Sequence, residues 1–143
     1  DIQAFQTEVT IPSGTGVTIT GVEEPTSPYP YALDGTGSSF ITGYSATGAS
    51  ANDLAPSGDT LADLDGFMKV NYEVAAGAAN GVVPITLTPY DDQTNAGSGI
   101  FDSSFNEIST TLDDGSITIT PEPATMGFLA LGGLAVLVRR RRR

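Results

Sequence analysis

The chain has 143 residues, 17 of them glycine and 9 proline, and it contains no cysteine, histidine or tryptophan. Disulfide frameworks, Cys/His zinc sites, thiol nucleophiles and Ser-His-Asp triads are therefore excluded. Of its 6 basic residues five are Arg139–Arg143, so residues 1–138 carry 17 acidic groups against Lys69 alone, a charge of −16 that repels nucleic acid and anionic lipid.

The length predicts one domain and a tail, and with 39% hydrophobic residues the body has enough apolar side chains for a modest core. Asp1 is neither an initiator methionine nor part of a signal peptide, so the sequence reads as a processed product or a piece of something longer. Phe5, Thr7, Val9 and Ile11 alternate with Gln6, Glu8 and Thr10, the period of a half-buried strand ending at Pro12. Ser13–Gly16 reads as a turn, and Val17, Ile19 and Gly21 open a second strand running to Val22. Residues 23–38, with Pro25, Pro28 and Pro30, predict a long irregular connection. Phe40, Thr42 and Tyr44 predict a brief strand before the Ala/Ser/Gly stretch to Gly58, and Asp59–Gly66 reads as a polar lead-in with Leu61 and Leu64.

The second half is more regular. Met68, Val70, Tyr72 and Val74 alternate with Lys69, Asn71 and Glu73, the pattern of a strong strand. After a turn at Ala75–Gly81, Val83, Ile85 and Leu87 point one way, and Pro84 predicts an edge or a bulge. Tyr90–Gly99 reads as an Asp/Asn/Gly loop, and Phe101 and Phe105 flank a turn. Ile108 and Leu112 predict another strand, and Ile117 and Ile119 face inward in the last one, after the Asp113–Gly115 turn. No stretch before residue 124 holds a helical period. Six or seven short antiparallel strands at this spacing predict an all-β, antiparallel β-sandwich over residues 1–120.

The last 23 residues change character. Pro121, Glu122 and Pro123 form a kinked stretch that cannot open a strand. Residues 124–138 are uncharged and apolar. As a helix they would extend about 22 Å, short of the roughly 30 Å hydrocarbon core, a gap that arginine snorkelling and local thinning close. Arg139, Arg140, Arg141, Arg142 and Arg143 then act as a stop-transfer and orientation signal, with the arginines cytoplasmic and the acidic body outside. A soluble core helix rarely ends in five arginines.

This order of Pro-Glu-Pro, apolar helix and arginine cluster resembles the PEP-CTERM sorting signal of Gram-negative bacteria. The resemblance implies export, temporary tethering in the inner membrane, and recognition near Pro121–Pro123 by an exosortase, a membrane cysteine transpeptidase. It also implies a destination at the cell surface or in an exopolysaccharide or biofilm matrix.

The body is similar to cohesin-like domains in four pieces, Val70–Val74, Ala76–Leu87, Ile100–Ile108 and Gly115–Ile119, and Ile2–Val22 resembles an earlier cohesin strand. That resemblance implies a jelly roll, and one that lacks a strand or two before residue 2, with a sheet edge open to another chain. It also implies a dockerin-type partner held on one sheet face.

Carboxylate pairs occur at Glu23-Glu24, Asp63/Asp65, Asp91-Asp92 and Asp113-Asp114. Adjacent strand residues point to opposite faces, so such pairs do not supply the two-carboxylate geometry of a glycosidase, and the chain reads as a non-enzyme. Asp91, Asp92, Asn95 and Asp102 gather hard oxygen ligands around one glycine-rich loop, a candidate calcium site without EF-hand spacing; the same residues also serve plain turns. Tyr29, Tyr31 and Tyr44, with Phe40, make a candidate aromatic patch for a glycan or a protein. The sequence thus predicts an exported adhesion or scaffolding protein. Two further readings are a cohesin-type module for a dockerin-like partner and a carbohydrate-binding accessory module of a larger secreted enzyme.

Overall fold

A computed structural model describes residues 2–26, 33, 40–60 and 65–120. Residues 124–138, expected to form a helix, lie outside them, as do Leu61, Leu64 and most of the 23–38 connection. Among the described residues no helix is long and apolar enough to cross a membrane.

Among the described residues nine strands form: β1 Ile2–Thr10, β2 Val17–Glu23, β3 Ile41–Tyr44, β4 Gly48–Asp59, β5 Lys69–Val74, β6 Gly81–Leu87, β7 Gly99–Phe101, β8 Glu107–Ile108 and β9 Gly115–Ile119. Every pairing between them is antiparallel. Seven strands make one sheet in the order β3-β4-β1-β6-β9, with β7 and β8 joined beside β1, and β2 and β5 make the other. The antiparallel β-sandwich is therefore as expected, with more strands than the six or seven predicted.

β1 organises the large sheet. One edge carries β4 along nearly its whole length; the other pairs β7 at Ala4–Gln6 and β6 at Val9 and Thr10. Phe5 and Val9 face inward as their alternation requires, and a register shift between Ile2 and Ala4 brings Ile2 into the core as well. Facing them, Val17 and Ile19 of β2 are buried with Ala49 and Val83, and Met68, Val70, Ile117 and Ile119 pack against this cluster. A second cluster gathers Ile2, Phe5, Leu33 and Ala51, with Phe67 packing its ring 4.9 Å from that of Phe5.

Two sequence expectations need correction, and a third holds. The Ala/Ser/Gly stretch contains β4, twelve residues long, which holds β1 and β3 together. Its inward positions are Ala49, Ala51 and Asp53, small or polar, so it lacks the large apolar alternation that announces a strand. Leu112 belongs to no strand: β8 stops at Ile108 after two residues, because only Ile100 and Phe101 of β7 offer it a ladder. Pro84 lies opposite Ser116 on β9, where β6 has a ladder on one side alone, a position that tolerates a residue without an N–H.

The small sheet is unevenly covered. Val17 pairs with Val74 and Ile19 with Tyr72, so all four side chains face the core. Val17 and Ile19 are buried, yet Tyr72 and Val74 are 48% and 43% exposed. Among the described residues β5 has no second neighbour. On its outer face Lys69 forms an ion pair with Glu23 at 3.0 Å. The Asn71 amide also donates to Glu23, and these two partners, Asn71 first, hold the Glu23 carboxyl below its usual value.

Candidate binding surface

The outward face of β3, β4, β1 and β7 is built by strand alternation. Ile41, Asn52, Gln6 and Gly99 make one row across the four strands, and Leu54, Ala4 and Phe101 a second, ending at Glu107 of β8. Gly99 is the gap in this pattern. A Cβ there would stand 3.1 Å from that of Tyr90, tighter than an ordinary contact, so the bare glycine leaves room for Tyr90 to lie over β7. The Tyr90 ring meets Phe101 edge-on, centroids 4.9 Å apart at 81°.

The 89–99 loop that carries Tyr90 is bolted to β1. The Ser98 hydroxyl donates to the Glu8 carbonyl at 3.1 Å and accepts the Glu8 N–H at 2.9 Å, while the Glu8 carboxylate accepts the Gly97 N–H at 3.1 Å. Gln6 Nε2 donates to the Asn95 carbonyl, and the Tyr90 hydroxyl to Asn95 Oδ1, both at 3.0 Å. Asn95 takes a left-handed φ of 51°, which asparagine tolerates.

The β7–β8 turn frames the other side. Asp102 Oδ1 accepts the N–H groups of Ser104 at 2.8 Å and Asn106 at 2.9 Å. These bonds, that from Asn106 first, hold its carboxyl below the usual aspartate value. The turn places Phe105 at φ 59°, a left-handed conformation that a bulky side chain rarely adopts, and leaves it 59% exposed. Tyr90, Phe101 and Phe105 then form a ridge between two clefts. One, of about 600 Å³, is lined by Ile41, Leu54, Gln6, Asn52 and Asn95 beside the ridge. The other, of about 550 Å³, is lined by Asp91, Asp92, Asn106 and Glu107.

The predicted calcium ligands do not converge. The Asp91 carboxylate accepts the Gln93 N–H at 2.9 Å and the Thr94 hydroxyl at 3.0 Å, bending its own turn, and Asp102 serves the next turn. Asn95 is bonded to Tyr90, and Asp92 lines the acidic cleft. Among the described residues no three acidic side chains are grouped to hold a metal ion. Tyr44 stands on β3, 60% exposed, beside a shallow depression with Glu8, Ser45 and Ser50 and apart from the ridge. Tyr29, Tyr31, Pro121, Glu122, Pro123 and Arg139–Arg143 lie outside the described residues. The aromatic ridge was not foreseen; its sequence signal is a phenylalanine where a three-residue hairpin loop calls for glycine or asparagine.

Comparison with known proteins bears on both parts of the chain. Residues 120–143 match the family model for the PEP-CTERM protein-sorting motif. The chain is similar in fold to a chain from the crystal structure of a complex between a CaDoc0917 variant and CaCohA2 at pH 5.5, a cohesin–dockerin pair. The likeness covers 83% of this chain and 79% of that one, with a TM-score of 0.56 and 18% identity. No curated protein matches the chain. The chain thus carries a PEP-CTERM sorting motif behind a cohesin-like β-sandwich, and the motif points to an exported protein held at the membrane before exosortase cleavage.

Proposed function

We propose that this chain is a cell-surface or matrix protein that an exosortase sorts through residues 120–143, and that its body works in adhesion or scaffolding by docking another protein. The ridge of Tyr90, Phe101 and Phe105 on the outward face of the large sheet is the observation that carries the docking role. Aromatic side chains at the centre of a patch, flanked by apolar and amide groups, are the composition of a binding hot spot. Phe105 adds weight because it combines exposure with a disfavoured backbone conformation, and strain of that kind collects at functional positions. The cohesin-like fold favours a dockerin-like protein as the partner.

Two experiments test the halves separately. Replacing Arg139–Arg143 with uncharged residues should abolish orderly surface display, followed by fractionation and intact mass; unchanged display would sink the sorting role. For docking, the dockerin-bearing proteins of the same genome are titrated against wild type and Phe105→Asn. Asparagine keeps the left-handed turn and removes the ring, so binding should fall by at least tenfold, about 1.4 kcal/mol. Equal affinity for both would remove the ridge from the interface.

A further inference from the structure

We propose that the free edge of β5 pairs with the β5 edge of a second copy of this chain, so that two small sheets join into one four-stranded sheet. The side chains of β5 that face the core are only partly covered by their own subunit. Val17 and Ile19 are buried while their cross-strand partners Val74 and Tyr72 remain about half exposed, so uncovered core surface runs along a strand that, among the described residues, has β2 as its one neighbour. An edge of unused N–H and C=O groups beside an exposed apolar face is a template for strand addition.

The sequence of β5 indicates which strand fits. Directly opposed residues in an antiparallel pair share a face, so self-pairing must match Lys69, Asn71 and Glu73 among themselves, and Val70, Tyr72 and Val74 among themselves. Centring the two-fold axis on Asn71 sets Lys69 opposite Glu73 of the second copy, twice, on the outer face. The same register sets Val70 opposite the second copy's Tyr72, twice, on the core face. Shifting the axis to Tyr72 loses both charge pairs, placing Asn71 opposite Glu73; shifting it to Val70 places Lys69 opposite Asn71. One register therefore satisfies charge and apolar pairing together. Lys69 is the only basic residue among residues 1–138, and it stands on this strand. Its existing partner Glu23 is a lateral neighbour on β2, so the new contact extends that ion pair into a row.

The absence of native cysteine gives a clean test. The full chain with Asn71→Cys, in excess detergent so that tails do not share a micelle, should form a disulfide dimer on mild oxidation. Thr42→Cys on the exposed edge strand β3 serves as control and should stay monomeric. By sedimentation, Glu73→Lys and Lys69→Glu should each weaken dimerisation roughly tenfold, since like charges then face each other across the pair, and the double exchange should restore it. A chain that stays monomeric, or links equally through both cysteines, overturns the proposal. So does a dimer indifferent to all three charge variants, because association would then run through another surface.

Discussion

Gly97 is the position where one methyl group should cost most for its size. Its φ of +99° already disfavours any side chain, and a Cβ there would collide with the Pro89 carbonyl oxygen and stand 2.9 Å from Tyr90 Cα. Gly77 supplies the matched control, with φ +86° and no atom within 4 Å of the added carbon. In Gly77→Ala only backbone strain acts, about 1–2 kcal/mol, offset by about 0.4–1 kcal/mol from the stiffer unfolded chain. The net loss should be about 1 kcal/mol. In Gly97→Ala the same terms apply, and the Pro89–Tyr90 backbone must also move, adding about 2 kcal/mol. Urea unfolding of the full chain, followed by far-ultraviolet circular dichroism, should then show the Gly97→Ala midpoint roughly 1 M below that of Gly77→Ala. Equal midpoints would mean that the loop yields freely, and that Ser98 and Glu8 do not hold it rigid against β1.

Other substitutions and conditions separate core from surface. Phe5→Ala, at a side chain 2% exposed between β4 and Phe67, should cost about 3–5 kcal/mol, whereas Phe105→Asn should stay within about 1 kcal/mol by the same urea titration. The turn at Asp102 should depend on pH in one direction. Its carboxyl lies below the ordinary 3.8 when folded, so its contribution is complete above that value and disappears as the pH falls through the folded one. Amide shifts of Ser104 and Asn106 should report this transition, and Asp102→Asn should abolish it. Calcium should leave the melting temperature where EDTA leaves it, because Asp91 and Asp102 already serve backbone and hydroxyl donors in separate turns; a rise with calcium would show that the loops rearrange around the ion.

Strands whose inward residues are large were readable from sequence alone. β1, β2, β6 and β9 stand where Phe5, Val9, Val17, Ile19, Val83 and Ile117 place them. β4 was invisible for the opposite reason: Ala49 and Ala51 fill narrow space, and Asp53, also buried, reads as a loop residue. Asp53 Oδ1 accepts the N–H of Leu54 at 2.6 Å, a local bond that residue counting cannot foresee. Leu112 failed because an apolar residue needs an available ladder as well as a pattern. The aromatic ridge depended on long-range facts, the register of β1 with β7 and the bare surface of Gly99, that bring Tyr90 beside Phe101. The acidic loops left two readings open, since aspartates that bend a turn and aspartates that hold an ion are the same residues in sequence.

The position of β1 also bears on the order in which the large sheet closes. It comes first among the described strands, yet its partners come from residues 48–59, 86–87 and 99–101. Contacts so distant in sequence form slowly, after long loops have closed. Residues 2–10 therefore cannot complete their pairing until residues 99–101 are in place, and the large sheet cannot close until β9 is. Among the described residues β9 is the last strand, and the sorting motif follows it at once. The order of the chain thus puts the sorting motif directly after the strand that completes the large sheet.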